Sequence, residues 1–392
     1  MQIVEVRTAA EAKDFIRVNV LMNQHNPAWI RPLDNEVNDV FNRDKNKNYK
    51  YGETARWLLK NDEGKLIGRI AAYTHRKYIN KGTDFPVGCC GFFDCINDQA
   101  AADLLFNTAK QWLQSKGMEA MDGPINFGDR EKWWGLLVEG FDEEPVYGMS
   151  FNPSYYENLF EGYGFKNFYN QFYYGMKVAD PLPDRFPERH ARFKDKPAYS
   201  ARMIERNNLE KYAADFATIY NASWAQHDGA KSITADQVMQ TFKKMKAIMD
   251  ERIVWFAYYN EEPIAMWINI PDLNQYFKHF NGRFGIIEKL HLLWMKQRGA
   301  CRRFTGLAFG VVPKYQALGV DSFLIYEASF VIQHRPLFAD SLEIGWAGDW
   351  NPKMLAIYKN LGGSQSRRLI TYRYIFDDKY VFERHPVIEY KK

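Results

Sequence analysis

The second half of this chain repeats the punctuation of the first at an offset of 198 or 199 residues, and that duplication constrains the fold more than any other feature. Glu11 and Glu210 each stand three residues after a helix-capping side chain, Thr8 and Asn207. Trp57 and Trp255 each open a strand–turn–strand segment, Asn152-Pro153 matches Asn351-Pro352, and Gly164 matches Gly363. These matches fall on caps, turn flanks and helix stops, the positions that set backbone geometry. They imply two copies of one α/β unit, over 1–178 and 198–392. Between them, 179–197 contains Asp180-Pro181-Leu182-Pro183-Asp184, with the prolines and charges of a linker. A chain of 392 residues also exceeds what one core usually fills.

Composition narrows the class. Aromatic residues reach 16% and charged residues 26%, the balance of a folded chain with much to bury. A net charge of +4 is too small to argue for nucleic acid, which needs a clustered basic face. No apolar run approaches the roughly 20 residues of a membrane span. The first residues lack a charged-then-apolar secretion signal. A cytoplasmic protein without an integral span is expected, with peripheral membrane contact left open. Cys89, Cys90 and Cys95 crowd one predicted strand and Cys301 stands apart, so reduced packed thiols are expected and no metal site.

The richest local pattern is Arg303-Phe304-Thr305-Gly306-Leu307-Ala308-Phe309-Gly310-Val311-Val312 followed by Pro313-Lys314-Tyr315-Gln316-Ala317-Leu318-Gly319. The first stretch reads as a buried strand. After the second, Val320, Leu324, Ala328, Val331 and Ile332 recur at helical spacing. A glycine-ended turn at a helix start leaves backbone N–H groups free, and the helix dipole favours an anion there. Farther on, Leu342-Glu343-Ile344 reads as a strand. Asn351-Pro352 opens a helix, Gly362-Gly363 stops it, and Leu369–Ile375 supplies a last strand.

This order of elements resembles the GNAT acyltransferase superfamily, whose acyl-CoA pyrophosphate loop has Gln316 and Gly319 in register here. Asp321 departs from it, standing where a small residue is usual. The resemblance implies a mixed α/β sheet in two tandem GNAT-like acyl-CoA N-acyltransferase domains. It implies acetyl-CoA or a longer acyl-CoA as co-substrate, held by Val311, Val312, Gln316, Ala317, Leu318, Gly319, Val320 and Asn351. In the first half, Asn97-Asp98 runs from strand to helix without a glycine. That half is therefore expected to be a degenerate copy without the cofactor.

Acyl transfer to an amine needs a polarised carbonyl, a neutral amine and a proton for the leaving thiolate. Tyr358 matches the family's general-acid position, or it packs as a helix-face tyrosine. Asn351 either orients the cofactor or caps its helix. Glu343 and His227 are candidate bases, with Glu343 equally readable as a salt-bridged residue. Trp224 and Asp228 border the expected acceptor side. Trp133 and Trp134 lie in a long segment, 123–142, expected to reach the second half's site. The strongly apolar Phe280–Met295 stretch reads either as core or as the wall of an acyl-chain pocket. The expected acceptor is a small-molecule or lipid-like amine bound between the halves. Two rivals stand beside this reading: a non-catalytic CoA-binding scaffold, and a Fem-like aminoacyl transferase using charged tRNA.

Overall fold

The computed structural model describes the whole chain except residues 80–81, 129–131, 194, 224–231, 378 and 389–392. Among the described residues, thirteen strands form one sheet. The first half contributes β1 (Gln2–Glu5), β2 (Gly52–Lys60), β3 (Leu66–His75), β4 (Val87–Cys95), β5 (Ala120–Gly123), β6 (Leu136–Glu139) and β7 (Lys166–Lys177). The second contributes β8 (Tyr199–Met203), β9 (Val254–Tyr259), β10 (Glu262–Pro271), β11 (Arg303–Val311), β12 (Ser341–Gly348) and β13 (Ser364–Ile375). The expected hairpins at Trp57 and Trp255 are β2–β3 and β9–β10.

The strand order is β1-β2-β3-β4-β5-β13-β7-β12-β11-β10-β9-β8, with β6 also paired to β13. The halves have therefore exchanged their last strands. The first half's β7 lies between β12 and β13 of the second, while β13 pairs only with β5, β6 and β7 of the first. The middle of β13 is covered on both faces. Leu369, Ile370 and Tyr372 pack into it, and the polar side chains between them must find partners. Thr371 Oγ1 donates to Gln171 Oε1 (2.9 Å), and Arg373 grips Asp122 with two bonds of 2.6 and 2.8 Å.

Local punctuation follows the sequence with shifts. Thr8 and Glu11 form the reciprocal cap of the Ala9–Asn23 helix. Its counterpart begins at Leu209, so Asn208 rather than Asn207 precedes it. Asn351 accepts from Met354 N (3.2 Å) and caps Pro352–Asn360. Asn152 does not cap. It is buried, holds Leu137 N and O at 2.8 and 3.1 Å, and leaves the helix to start at Tyr156. The 179–197 segment is no loose tether: Arg185–His190 is helical, and Phe186 and Phe193 are buried in the second half's core.

Candidate functional site

The site grows from a fork in the sheet. β11 and β12 pair in parallel from Arg303/Ser341 to Gly306/Ile344 and no farther. β11 continues to Val311, keeping a strand partner only on its β10 side. A bulge makes Leu307 the extra residue opposite β10, and Leu307 is 48% exposed where β12 has turned away. On the other side, β12 stays a strand because it pairs with β7. Beneath the fork, Asn269 is buried. Its Nδ2 donates to Ile253 O (2.8 Å), while its Oδ1, beside Gly306, has no hydrogen-bond partner among the described residues.

Past the fork the chain makes the turn expected at a helix start. Val312 N donates to Ile264 O (2.9 Å), so this amide is taken by the sheet. Gln316 Nε2 donates to Val311 O (3.0 Å) and braces the turn from within. Ala317 (φ 63) and Gly319 (φ 90) both adopt left-handed backbone. For Ala317 that conformation costs roughly 1–2 kcal/mol, a local strain of the kind found where backbone donors are aimed. The Val320–Ile332 helix begins directly after Gly319, and the amides of its first turn lack intrahelical acceptors.

Cations surround this corner. Arg189 runs past Gly319, donates from Nη1 to Ser322 Oγ (3.3 Å), and stands 3.9 Å from Asp321 Oδ2. Lys353 Nζ donates to Gln316 Oε1 (3.3 Å). Burial, and then the neighbouring Arg189 charge, hold Arg185 below its ordinary pKa, while Asp321 pulls it upward. The acid that departs from the family pattern thus has an arginine beside it. Arg185 and Arg189 were not singled out in the sequence. Their signal was a four-residue spacing after the prolines, which puts both on one helix face.

The equivalent corner of the first half is closed by its own side chains. Cys95 N donates to the Tyr156 hydroxyl (3.0 Å), and the Tyr155 hydroxyl donates to Cys95 O (2.7 Å). Asp98 Oδ1 accepts from Ala101 N (2.9 Å) and caps the Gln99–Ser115 helix. The gap beside β4 is filled by the chain itself, since Ile125 N donates to Cys90 O (2.9 Å). Asp94 is buried in a network with Arg69 Nε (2.6 Å), Asn19, Asn23 and Tyr156.

The remaining expected residues scatter. Tyr358 lies on the Pro352–Asn360 helix, its ring 5.6 Å from that of buried Tyr174 on β7. Glu343 is buried on β12 and bound to the Arg367 guanidinium and the Ser366 hydroxyl. Trp224, His227 and Asp228 fall outside the described residues. Trp134 is buried, because its Nε1 donates to the Tyr169 hydroxyl (2.8 Å). Trp133 stacks edge-on against Phe92, 5.6 Å away, over the first half's own cleft. Among their described contacts neither tryptophan meets the Gln316–Val320 turn, contrary to expectation. Instead residues 144–147 reach the second half. Arg367 Nη2 and Arg303 Nη1 donate to Glu144 O (2.7 and 3.1 Å), and Tyr147 N donates to Asp272 Oδ1 (2.8 Å). Most large side chains of the apolar Ile286–Gln297 helix face outward and so do not line an acyl-chain pocket.

No protein-family model matches the chain. Among curated proteins it is 26% identical over 384 residues to the bacterial ceramide synthase of Caulobacter vibrioides, spanning 95% of this chain and 96% of that one. A tandem GNAT protein from the clavulanic acid biosynthesis pathway superposes with a TM-score of 0.54 at 9% identity, over 96% of this chain and 98% of that one. A GCN5-related N-acetyltransferase from Sphaerobacter thermophilus gives 0.52 at 11% identity, over 95% and 96%. At these identities the two structural likenesses speak for the fold.

Proposed function

On the premise of a tandem GNAT fold, which this chain has, we propose that it is an acyl-CoA-dependent N-acyltransferase with its cofactor in the second half. The observation that carries this reading is the open fork leading to a strained, cation-flanked turn at a helix start. Val311, Ala317, Gly319 and Val320 would hold the diphosphate through backbone donors, while the Gln316 and Leu318 amides shape the turn by donating to Pro313 O (3.1 Å) and Tyr315 O (3.4 Å). Arg185, Arg189 and Lys353 would supply countercharge. The thioester arm would lie along β11 beyond Gly306, where strand pairing has ended, and backbone N–H groups there would polarise the carbonyl.

In the reaction, the neutral amine nitrogen attacks the thioester carbon and forms the C–N bond, the C–S bond breaks, the nitrogen releases a proton to a base or water, and the thiolate takes one. Tyr358 is the proton donor in this reading. Asn351 contributes by capping its helix. Glu343, tied to Arg367, is a positioning residue, which leaves the base unassigned. The acceptor would sit between the halves, where 144–147 meets β10 and β11. The relative's name, bacterial ceramide synthase, supports a sub-reading: a long acyl chain transferred to an amphiphilic amine. The cytoplasm remains the expected compartment, where the four free thiols would stay reduced. Calorimetry with CoA tests the core of the proposal. One molecule bound per chain is expected; two per chain, or none with any thioester, would refute it. Incubation with acyl-CoAs of different lengths and amine panels, read by mass spectrometry, identifies the substrate pair.

A further inference from the structure

The Ile286–Gln297 helix turns its apolar face away from the protein. Ile286, Ile287, Leu290, Leu293 and Trp294 are 49–78% exposed and recur at the spacing of one helix face. Leu292 and Met295 are its buried residues, packed with Tyr276, Phe277 and Phe280. A contiguous apolar surface of this kind is rare on a monomeric soluble protein and marks a contact site.

The charges around the stripe are mostly basic. Glu288, the only acid in the helix, is folded back to accept from Gly285 N (2.7 Å). Arg283, Lys289 and Arg298 are exposed at the rim, and the Arg298 guanidinium lies 4.6 Å over the Trp294 ring. Lys243, Lys244 and Lys246 are exposed just before Ala247, whose carbonyl accepts from Lys296 on the same helix. Where the helix ends, an open hollow is lined by six basic side chains and two acidic ones. Both acids are engaged, Asp250 by Arg252 (2.9 and 2.6 Å) and Glu251 by the Arg206 amide (2.6 Å), and two of the bases are ion-paired as well, Arg302 with Asp340 (2.6 Å) and Arg303 with Asp272 (2.7 Å). Arg206 Nε, 3.8 Å from Glu251, has no hydrogen-bond partner among the described residues.

We propose that this helix docks on a membrane containing anionic phospholipid, seating its five exposed apolar side chains among the acyl chains and the basic hollow against lipid phosphates. The charge pattern selects this occupant. A second copy would bring two cationic rims face to face, whereas an interfacial helix combines an apolar face, tryptophan and flanking Lys/Arg. At 12 residues the helix is too short to span a bilayer, so it would lie in the surface. It precedes β11, whereas the Gly319 turn follows it, so the nine-residue strand separates the two by roughly 30 Å. The proposal therefore stands apart from the cofactor reading.

The test is co-sedimentation of the full chain with vesicles of phosphatidylcholine alone or mixed with phosphatidylglycerol. Binding is expected to the anionic vesicles and to weaken about tenfold or more in Leu290→Asp/Leu293→Asp and in Lys289→Glu/Arg298→Glu. Melting temperatures of both variants should match the wild type, since every substituted side chain is exposed. Wild-type protein left in the supernatant with both vesicle types would overturn the proposal, as would undiminished binding by the variants. A wild-type mass twice that of the chain in light scattering, halved by Leu290→Asp, would assign the face to a second copy and also overturn it.

Discussion

The sharpest test of the cofactor corner is a pair of opposite charge deletions, Asp321→Asn and Arg189→Gln. Arg189 Nη1 and Asp321 Oδ2 are 3.9 Å apart, and the side chains are 43% and 40% exposed. Solvent therefore screens them nearly as in bulk water. Unit charges about 4 Å apart then interact by about 1 kcal/mol. A diphosphate received by the amides after Gly319 would lie at comparable distance from both groups. Removing the Asp321 carboxylate should thus tighten CoA binding by about fivefold, and removing the Arg189 guanidinium should weaken it by about five- to tenfold. The double variant should return near the wild-type affinity.

Isothermal titration with CoA reads these changes directly. Repeating it at about 0.5 M salt, where the screening length falls to roughly 4 Å, should shrink all of them. Melting temperatures should barely move, because exposed ion pairs contribute only about 0–1 kcal/mol. If Asp321→Asn bound CoA no tighter and Arg189→Gln no weaker at low salt, the phosphates would lie elsewhere. The reading of the turn would then fail with them.

Other outcomes follow from the same geometry. Tyr358→Phe keeps the ring contact with Tyr174 but removes the hydroxyl, so turnover should fall by about 10²-fold or more with CoA affinity unchanged; unchanged turnover would make Tyr358 a packing residue. Glu343→Gln removes the buried carboxylate bound to the nearly fully buried Arg367 and leaves it only the carboxylate of Glu143, exposed and 3.9 Å away, which should cost up to about 3–5 kcal/mol and appear as a clear drop in melting temperature. Lost turnover with an undiminished melting temperature would instead mark Glu343 as the base. Burial raises the Cys301 thiol to about 11. Its alkylation at pH 8.5 should therefore run roughly a hundredfold slower than that of an ordinary thiol, because only the thiolate reacts. Peptide mapping of iodoacetamide-treated protein checks this.

What could be read in the sequence were features set by neighbours along the chain. The hairpins opening at Trp57 and Trp255, the Thr8 cap, the Asn351 cap and the Gly319 turn all depend on a few adjacent residues. Asn152 was misread for the complementary reason. Its dipeptide matches a helix start, but a buried amide next to β6 satisfies that strand's free backbone groups instead. The apolar character of the Ile286–Gln297 helix was plain in the sequence, but not which of its side chains the fold leaves exposed. Trp134 was expected at the second half's site because the hydroxyl that holds it in the first half, on Tyr169, is 35 residues away. Arg189 sits in a proline-bounded stretch that looked like a tether, and only the packing of Phe186 and Phe193 brings it to the turn.

The strand exchange bears most directly on how a duplicated chain comes to carry one open corner. β13 has three strand partners, all from the first half, and β7 has two, both from the second. Residues 198–392 alone would strip every neighbour from β13 and leave β12 with β11 only, up to Ile344. Losing the cover over Leu369, Ile370 and Tyr372 alone forfeits about 1.5–3 kcal/mol per side chain, which together rivals the whole stability of a typical domain. The isolated second half should therefore be aggregated or unfolded by circular dichroism and should not bind CoA. Co-expressed with residues 1–197, it should recover both. A monomeric, folded 198–392 fragment that bound CoA would show that β7 is dispensable to the fork. If it is indispensable, the first half needs no cofactor of its own to be retained: it lends β12 the partner that lets it part from β11.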